Sequence, residues 1–141
     1  MSADDNKALL EGYLREVWGE GNPEAAERFV APNYKRHMSP KAPPLDPATQ
    51  IERLKGILAA FPDVSIEADD IIADEHGVAF RSTMRGTHRG EILGIAPTGK
   101  TIEVSLVDFI RIEDGKFVEQ WGGPDMFDLL KQLGASFTAG E

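Results

Sequence analysis

Residues 101–121 read TIEVSLVDFIRIEDGKFVEQW, and the fold turns on how they are read. Val104, Leu106, Asp108, Ile110 and Ile112 share one parity, while Ser105, Val107, Phe109 and Arg111 share the other. A period of two places these sets on opposite faces of a strand, one of them apolar. Glu113-Asp114-Gly115 is a hairpin turn, and 117–122 (FVEQWG) is the returning strand. Two turn types compete. A three-residue loop with Gly115 at the left-handed bulge position sets Ile110 opposite Val118 and Asp108 opposite Gln120. A two-residue Asp-Gly turn sets Trp121 opposite Asp108 instead. The bulge is favoured because it keeps Val118, Gln120 and Gly122 inside and leaves Arg111 and Glu119 on a common outer face.

Upstream, 78–88 (VAFRSTMRGTH) form another strand, and Val64, Ile66 and Ala68 alternate through a strand reaching Ile72. Asp74-Glu75-His76-Gly77 is the turn between them. Before Val64 the period is helical. Leu9, Leu10, Tyr13, Leu14, Val17 and Trp18 recur at three and four, with caps offered by Asp4 to Asn6. Asn22-Pro23 opens a short second helix with Ala25, Phe29 and Val30 buried, stopped by Pro32. Asp46-Pro47 opens a third, with Ile51, Leu54, Ile57, Leu58 and Phe61 as its stripe and Pro62 as its end. Residues 33–45 (NYKRHMSPKAPPL), rich in Pro and basic side chains, read as an irregular loop. Pro124-Asp125 opens a last helix with Leu129, Leu130 and Leu133 that ends at Gly134, and the tail from Ala135 to Glu141 is expected to fray. Helices followed by a twisted antiparallel sheet and a short helix make an α+β layer fold.

The 141 residues fit one domain, 1–141, and carry a formal charge of −9. The acidic balance argues against nucleic acid and against anionic membrane surfaces, since phosphate recognition needs clustered Lys and Arg. The longest apolar run, Gly56 to Phe61, is far below the ~20 residues of a membrane span. With no cysteine there is neither disulfide nor thiol chemistry. Met1-Ser2-Ala3-Asp4-Asp5 carries neither the basic region nor the apolar core of a signal peptide, so the expected compartment is cytoplasmic.

Asp108, a carboxylate in an apolar row, is the leading candidate for acid–base work, because desolvation raises its pKa. The competing role is a structural Asp tied to a backbone amide or an Arg. His88 shares parity with Phe80, Ser82 and Met84, and either faces a substrate carbonyl or ties down the following loop. Asp125 is a helix cap or an acid at a pocket rim. His37 sits in the basic loop and His76 in an acidic turn, and this scatter gives no metal-ligand spacing, so no metal is expected. Trp18 and Trp121 are packing aromatics that can also stack on a flat ligand.

The stretches 86–100 (GTHRGEILGIAPTGK) and 108–121 (DFIRIEDGKFVEQW), Tyr13 with Trp18-Gly-Glu-Gly-Asn-Pro, Phe61-Pro62-Asp63 and Gln132-Leu133-Gly134 together resemble the SnoaL-like polyketide (ester) cyclases over nearly the whole chain. The resemblance implies an NTF2-like α+β cone, a curved antiparallel sheet wrapped around helices with an internal pocket. It implies cofactor-free chemistry on flat polycarbonyl-like molecules, and a homo-oligomer built through the sheets. In that family an Asp on the last strand, two residues after a His, moves the proton of an intramolecular aldol reaction. The corresponding positions here are Gly122 and Gln120. Asp108 stands where the preceding strand has a pocket His, and His88 matches the family's Thr-His-x-Gly histidine.

Asp108 is therefore expected to act as base and acid, with His88 and Gln120 as donors to a developing enolate. Trp121, Phe80, Met84, Leu106 and Trp18 are the expected walls, and Asp125 is the fallback acid. Cyclase or isomerase chemistry on a small molecule is the first reading. Its rivals are a hydratase or epoxide-hydrolase-like enzyme and a carrier of an apolar ligand. Val107, Phe109 and Trp121 on the convex face call for a cover, so a homodimer or tetramer is expected.

Overall fold

The computed structural model describes residues 1–136. Helix α1 (Ala3–Tyr13) starts at Ser2, whose side chain and that of Asp5 form a reciprocal capping box, so the cap lies before the expected Asp4 to Asn6. The helix then widens into a π-helical turn, Leu14–Gly19, and this turn brings Val17 and Trp18 into the core. A 3₁₀ segment, Pro23–Arg28, follows, without the side-chain cap expected from Asn22. Helix α2 (Pro47–Ala60) begins as expected, with Asp46 accepting a hydrogen bond from the Thr49 amide and Pro at its first turn.

Five strands make one curved, mixed sheet in the order β1-β5-β4-β3-β2. β2 (Ser65–Asp74), β3 (Gly77–Thr87), β4 (Thr101–Glu113) and β5 (Lys116–Pro124) are antiparallel neighbours. The strand β1 (Val30–His37) corrects the sequence reading, which made 33–45 a loop and the sheet wholly antiparallel. β1 runs parallel to β5, pairing Lys35 with Glu119 and Arg36 with Gln120. Its pairing is irregular between Val30 and Lys35, where Pro32 has no amide to donate. The backbone of Arg36 also exchanges two hydrogen bonds with Leu45 (2.9 and 2.8 Å), so the returning loop covers this sheet edge.

The hairpin after β4 is a second correction. Asp114 and Gly115 have φ of 50° and 73°, and Glu113 pairs with Lys116, which is the two-residue turn and not the three-residue loop. A bulge at Val118 then shifts the register by one, so Arg111 faces Glu119, Ile110 faces Gln120 and Asp108 faces Gly122. The extra residue restores the parity a two-residue turn alone would reverse. Gln120 therefore points inward, as expected, although its partner is Ile110 and not Asp108.

The concave face is the core. Ile102, Val104, Leu106, Asp108, Ile110 and Ile112 of β4 are all buried, and the intervening residues are exposed, Val107 at 60%. Tyr13 meets Phe29 and Phe117 edge-on at 5.6 and 5.2 Å, closing one end of the cone. Helix α3 (Met126–Gln132) is capped by Asp125 and lies beside β4. The expected fraying of the tail from Ala135 concerns, from position 137 on, residues outside the described ones. No helix of the described residues is long and apolar enough to cross a membrane.

Candidate functional site

Alternation along three strands aims four polar side chains at one place inside the cone. β4 contributes Asp108, β5 contributes Gln120, and β1 contributes Tyr34 and Arg36. Tyr34 is 2% exposed, Arg36 2%, Asp108 5% and Gln120 6%. The Tyr34 hydroxyl donates to Gln120 Oε1 at 2.6 Å, which orients the amide so that its Nε2 donates to Asp108 Oδ1 at 3.4 Å. Arg36 Nη1 donates to the same Oδ1 at 3.0 Å, and Arg36 Nη2 donates to the carbonyl of Gly122 at 2.6 Å. Oδ2 of Asp108 takes no hydrogen bond from any described residue. Asp108 is thus held at one oxygen and open at the other.

The Gly122 carbonyl reaches Arg36 because the backbone buckles. Gly122 and Gly123 have φ of 105° and 133°, a region L side chains rarely adopt. A Cβ at Gly122 would run into the Val107 carbonyl of the neighbouring strand. At this place the chain presents a peptide oxygen.

These groups line a cavity of about 40 Å³ with Tyr13, Leu14, Trp18, Phe80, Met84 and Leu106. Helix α2 adds Gln50, Arg53, Leu54 and Ile57, four residues on one helical face. A second, apolar space of about 330 Å³ adjoins it. Arg53, Ile57, Met84 and Pro124 belong to both, and the outer one is also lined by Met38, Leu93, Met126 and Leu129, with Gly56, Glu91 and Ile92. The result is a small polar end behind an apolar vestibule. Leu93 projects over the vestibule from a Leu93-Gly94 turn with φ of 50° and 79°, closed by paired backbone bonds between Ile92 and Ile95. A leucine in the left-handed region is strained by about 1–2 kcal/mol.

Burial and the nearby Asp108 carboxylate push the Tyr13 phenol up to about 12, partly offset by Arg36. Burial raises Tyr34 in the same way, with Tyr13 beside it. Burial and the repulsion of Arg36 lower the pKa of Arg53.

Of the residues expected at the site, Asp108, Gln120, Trp18, Phe80, Met84 and Leu106 line this cavity. His88 does not line it. Its ring is buried against Phe61, 5.6 Å between centroids, and Nδ1 accepts from the Thr98 amide at 3.2 Å. Its backbone pairs with Lys100 and Gly99, so His88 anchors the 88–100 loop. Asp125 is exposed, and its Oδ1 accepts from the Asp128 amide at 3.0 Å. Trp121 is on the convex face, stacked on His37 at 4.9 Å and next to Phe109. His37 Nε2 lies 2.8 Å from Glu119 Oε2 on that same face. Among the described residues no group of three His, Asp or Glu side chains is arranged to hold a metal ion.

Sequence reasoning missed Arg36, Tyr34, Arg53 and Gln50. Two signals pointed to them. Tyr34 and Arg36 share parity after Phe29-Val30-Ala31, and Gln50, Arg53 and Ile57 follow the helical spacing of three and four.

Residues 8–133 match the family model of the SnoaL-like polyketide cyclases. The nogalonic acid methyl ester cyclase of Streptomyces nogalater is 23% identical over 128 residues, which span 84% of this chain and 90% of that protein. AclR from Streptomyces galilaeus, provisionally a hydroxylase, superposes with a TM-score of 0.84 at 32% identity over 94% of this chain and 98% of its own. A provisional polyketide cyclase from Acidithiobacillus ferrooxidans does so at 0.79 and 32% identity, over 92% and 94%.

Proposed function

The chain belongs to the SnoaL-like polyketide cyclase family, and from that premise we propose that its cavity carries out cofactor-independent acid–base chemistry on a flat, polycarbonyl-like substrate, with Asp108 as the proton carrier. One observation carries the reading: Asp108 lines the cavity with Oδ1 fixed by Arg36 and Gln120, while Oδ2 accepts no hydrogen bond from a described residue. A base held at one oxygen is oriented without being used up.

In the proposed step Oδ2 takes the acidic proton from the carbon between two carbonyls. The enolate forms beside the Arg36 guanidinium, whose positive charge is in place before the negative charge develops. The enolate carbon attacks a carbonyl of the same molecule, a C–C bond closes the ring, and the new alkoxide takes the proton back from Asp108. Nothing is oxidised or reduced, so the chemistry calls for no cofactor. His88 and Asp125 have no part in it, since neither lines the cavity. The place of the family's last-strand carboxylate is taken by Gly122, and Asp108 acts from the adjacent strand.

Likeness to AclR and to the nogalonic acid methyl ester cyclase does not itself select ring closure. A small cavity lined by Asp108 favours an enzyme, whereas a long apolar tunnel would favour a carrier. The test is hydrogen–deuterium exchange at the central carbon of a tetralone β-keto ester, followed by NMR. The wild type should accelerate exchange, and Asp108→Asn should slow it by roughly 10²–10⁴-fold with little change in ligand binding. Exchange at the wild-type rate in Asp108→Asn would remove Asp108 from the mechanism. Binding without any accelerated exchange would establish the carrier reading.

We further infer a cytoplasmic homodimer formed through the convex face. Ile72, Ala79, Phe109, Trp121 and His37 are successive cross-strand neighbours across all five strands, and Ile72 and Phe109 are 75% and 42% exposed. Such an apolar row is normally covered. Light scattering at micromolar concentration should give a dimer, and a monomer would overturn this inference.

A further inference from the structure

We propose that Arg53 is an anion subsite that receives a substrate carboxylate, so that this chain takes a free acid in preference to its ester. The inference rests on the cavity being a substrate site, as argued above. Arg53 lies on the wall shared by the polar cavity and the apolar vestibule. It is half-buried, yet it makes no hydrogen bond or ion pair with any described residue. A guanidinium withdrawn from water ordinarily has a partner.

The neighbouring charges do not supply one. Arg36 already spends Nη1 on Asp108 and Nη2 on the Gly122 carbonyl. Both guanidiniums converge on Gly123: a Cβ there would lie 2.9 Å from Arg36 Nη2 and 4.0 Å from Arg53 Nη2. Around the polar cavity there are two cations and one carboxylate. Tyr13 and Tyr34 add no negative charge, because phenols are protonated at neutral pH and burial moves both still further from titration. Glu91, an exposed side chain, lines the vestibule but not the polar cavity. A local excess of positive charge inside a chain of net charge −9 selects for an anion at that spot. The geometry also sets its position on the ligand: a carboxylate at Arg53 leaves the apolar body among Met38, Leu93 and Met126, and the reacting carbons toward Asp108.

The experiment compares 4,5-dihydroxyanthraquinone-2-carboxylate with its methyl ester, titrated calorimetrically at pH 7 and low salt. The wild type should bind the acid about tenfold or more tightly than the ester, the weight of one charge-assisted contact. Arg53→Gln should abolish that preference and leave ester affinity within about threefold of the wild type, as expected when only the charged contact is lost. Arg53→Lys should keep part of the preference and lose it as salt is raised, because a point charge is retained without the planar fork. Equal binding of acid and ester by the wild type, or a preference that survives Arg53→Gln, would overturn the subsite and leave the cavity reading standing. Binding of neither probe by the wild type would overturn the cavity reading and the subsite with it. Melting curves keep a folding defect from being mistaken for lost affinity; should Arg53→Gln fail to fold, the salt dependence of the wild-type preference and Arg53→Lys decide.

Discussion

The two faces of the sheet carry the same kind of ion pair in opposite surroundings. On the convex face, Arg81 meets Asp70 at 2.7 Å and Arg85 meets Glu103 at 3.0 Å, with all four side chains about half or more exposed. On the concave face, Arg36 meets Asp108 at 3.0 Å with both nearly sealed from water. The distances hardly differ, and the energetics do. Water screens the outer pairs and solvates either member once the other is gone. The inner pair was desolvated on folding, and an apolar pair of the same shape would have cost less. An arrangement that is poor value for stability is best explained by what it does, and here it holds one carboxylate oxygen and frees the other.

Breaking the inner pair is expected to have the largest effect. Arg36→Met leaves Asp108 buried without its partner and should destabilise by roughly 3–5 kcal/mol in urea denaturation. Adding Asp108→Leu should return most of that loss while removing proton transfer altogether, which separates fold from function. Next comes alkaline stability. Tyr13 has its folded pKa raised to about 12 from an ordinary 10, so the stability it contributes is complete below pH 10 and is lost as pH rises from 10 through about 12. Its share of the loss should reach roughly 2–3 kcal/mol, seen as a falling Tm that Tyr13→Phe reduces and that Tyr13→Phe with Tyr34→Phe largely removes. The turn that keeps the two faces in register comes third. Gly115→Val places a β-branched residue at φ 73° and should destabilise by roughly 1–3 kcal/mol. The smallest effect is on the outside. Arg81→Ala, at an exposed pair, should leave the denaturation midpoint unchanged within error. A clear drop there would dissolve the contrast between the faces.

The same contrast explains what could be read from the sequence. The inward row of β4 was legible because its alternation is strict and its one charged member, Asp108, stands among aliphatic neighbours. Once parity was known, Gln120, Phe80, Met84 and Leu106 followed, and Trp18 followed from the helical stripe. β1 was not legible. Its inward positions are Tyr34 and Arg36, so a polar residue sits where hydrophobic patterning looks for an apolar one. Its partner is also far along the chain, as Tyr34 and Gln120 are 86 positions apart, and a parallel pairing leaves no hairpin signal. The hairpin register failed for a local reason: two small events, a tight turn and a bulge at Val118, together imitate the parity of one longer loop. The wrong turn therefore gave the right faces and the wrong cross-strand partner. His88 was placed on the correct strand parity, but the parity of a strand's last residue does not say whether its side chain turns inward or back onto the loop it begins.

Gly122 makes the arrangement hard to reverse. Any side chain added there meets the Val107 carbonyl, and the backbone angle that aims the Gly122 oxygen at Arg36 is one that aspartate adopts only under strain. A carboxylate cannot be gained at this position of the last strand by one substitution alone. The end of β5 would first have to straighten, and that would withdraw the oxygen that steadies Arg36 and, through it, Asp108. The buckle acts as a ratchet, under which variants can still be explored at the vestibule, around Leu93 and Met126, while the proposed proton carrier stays confined to β4.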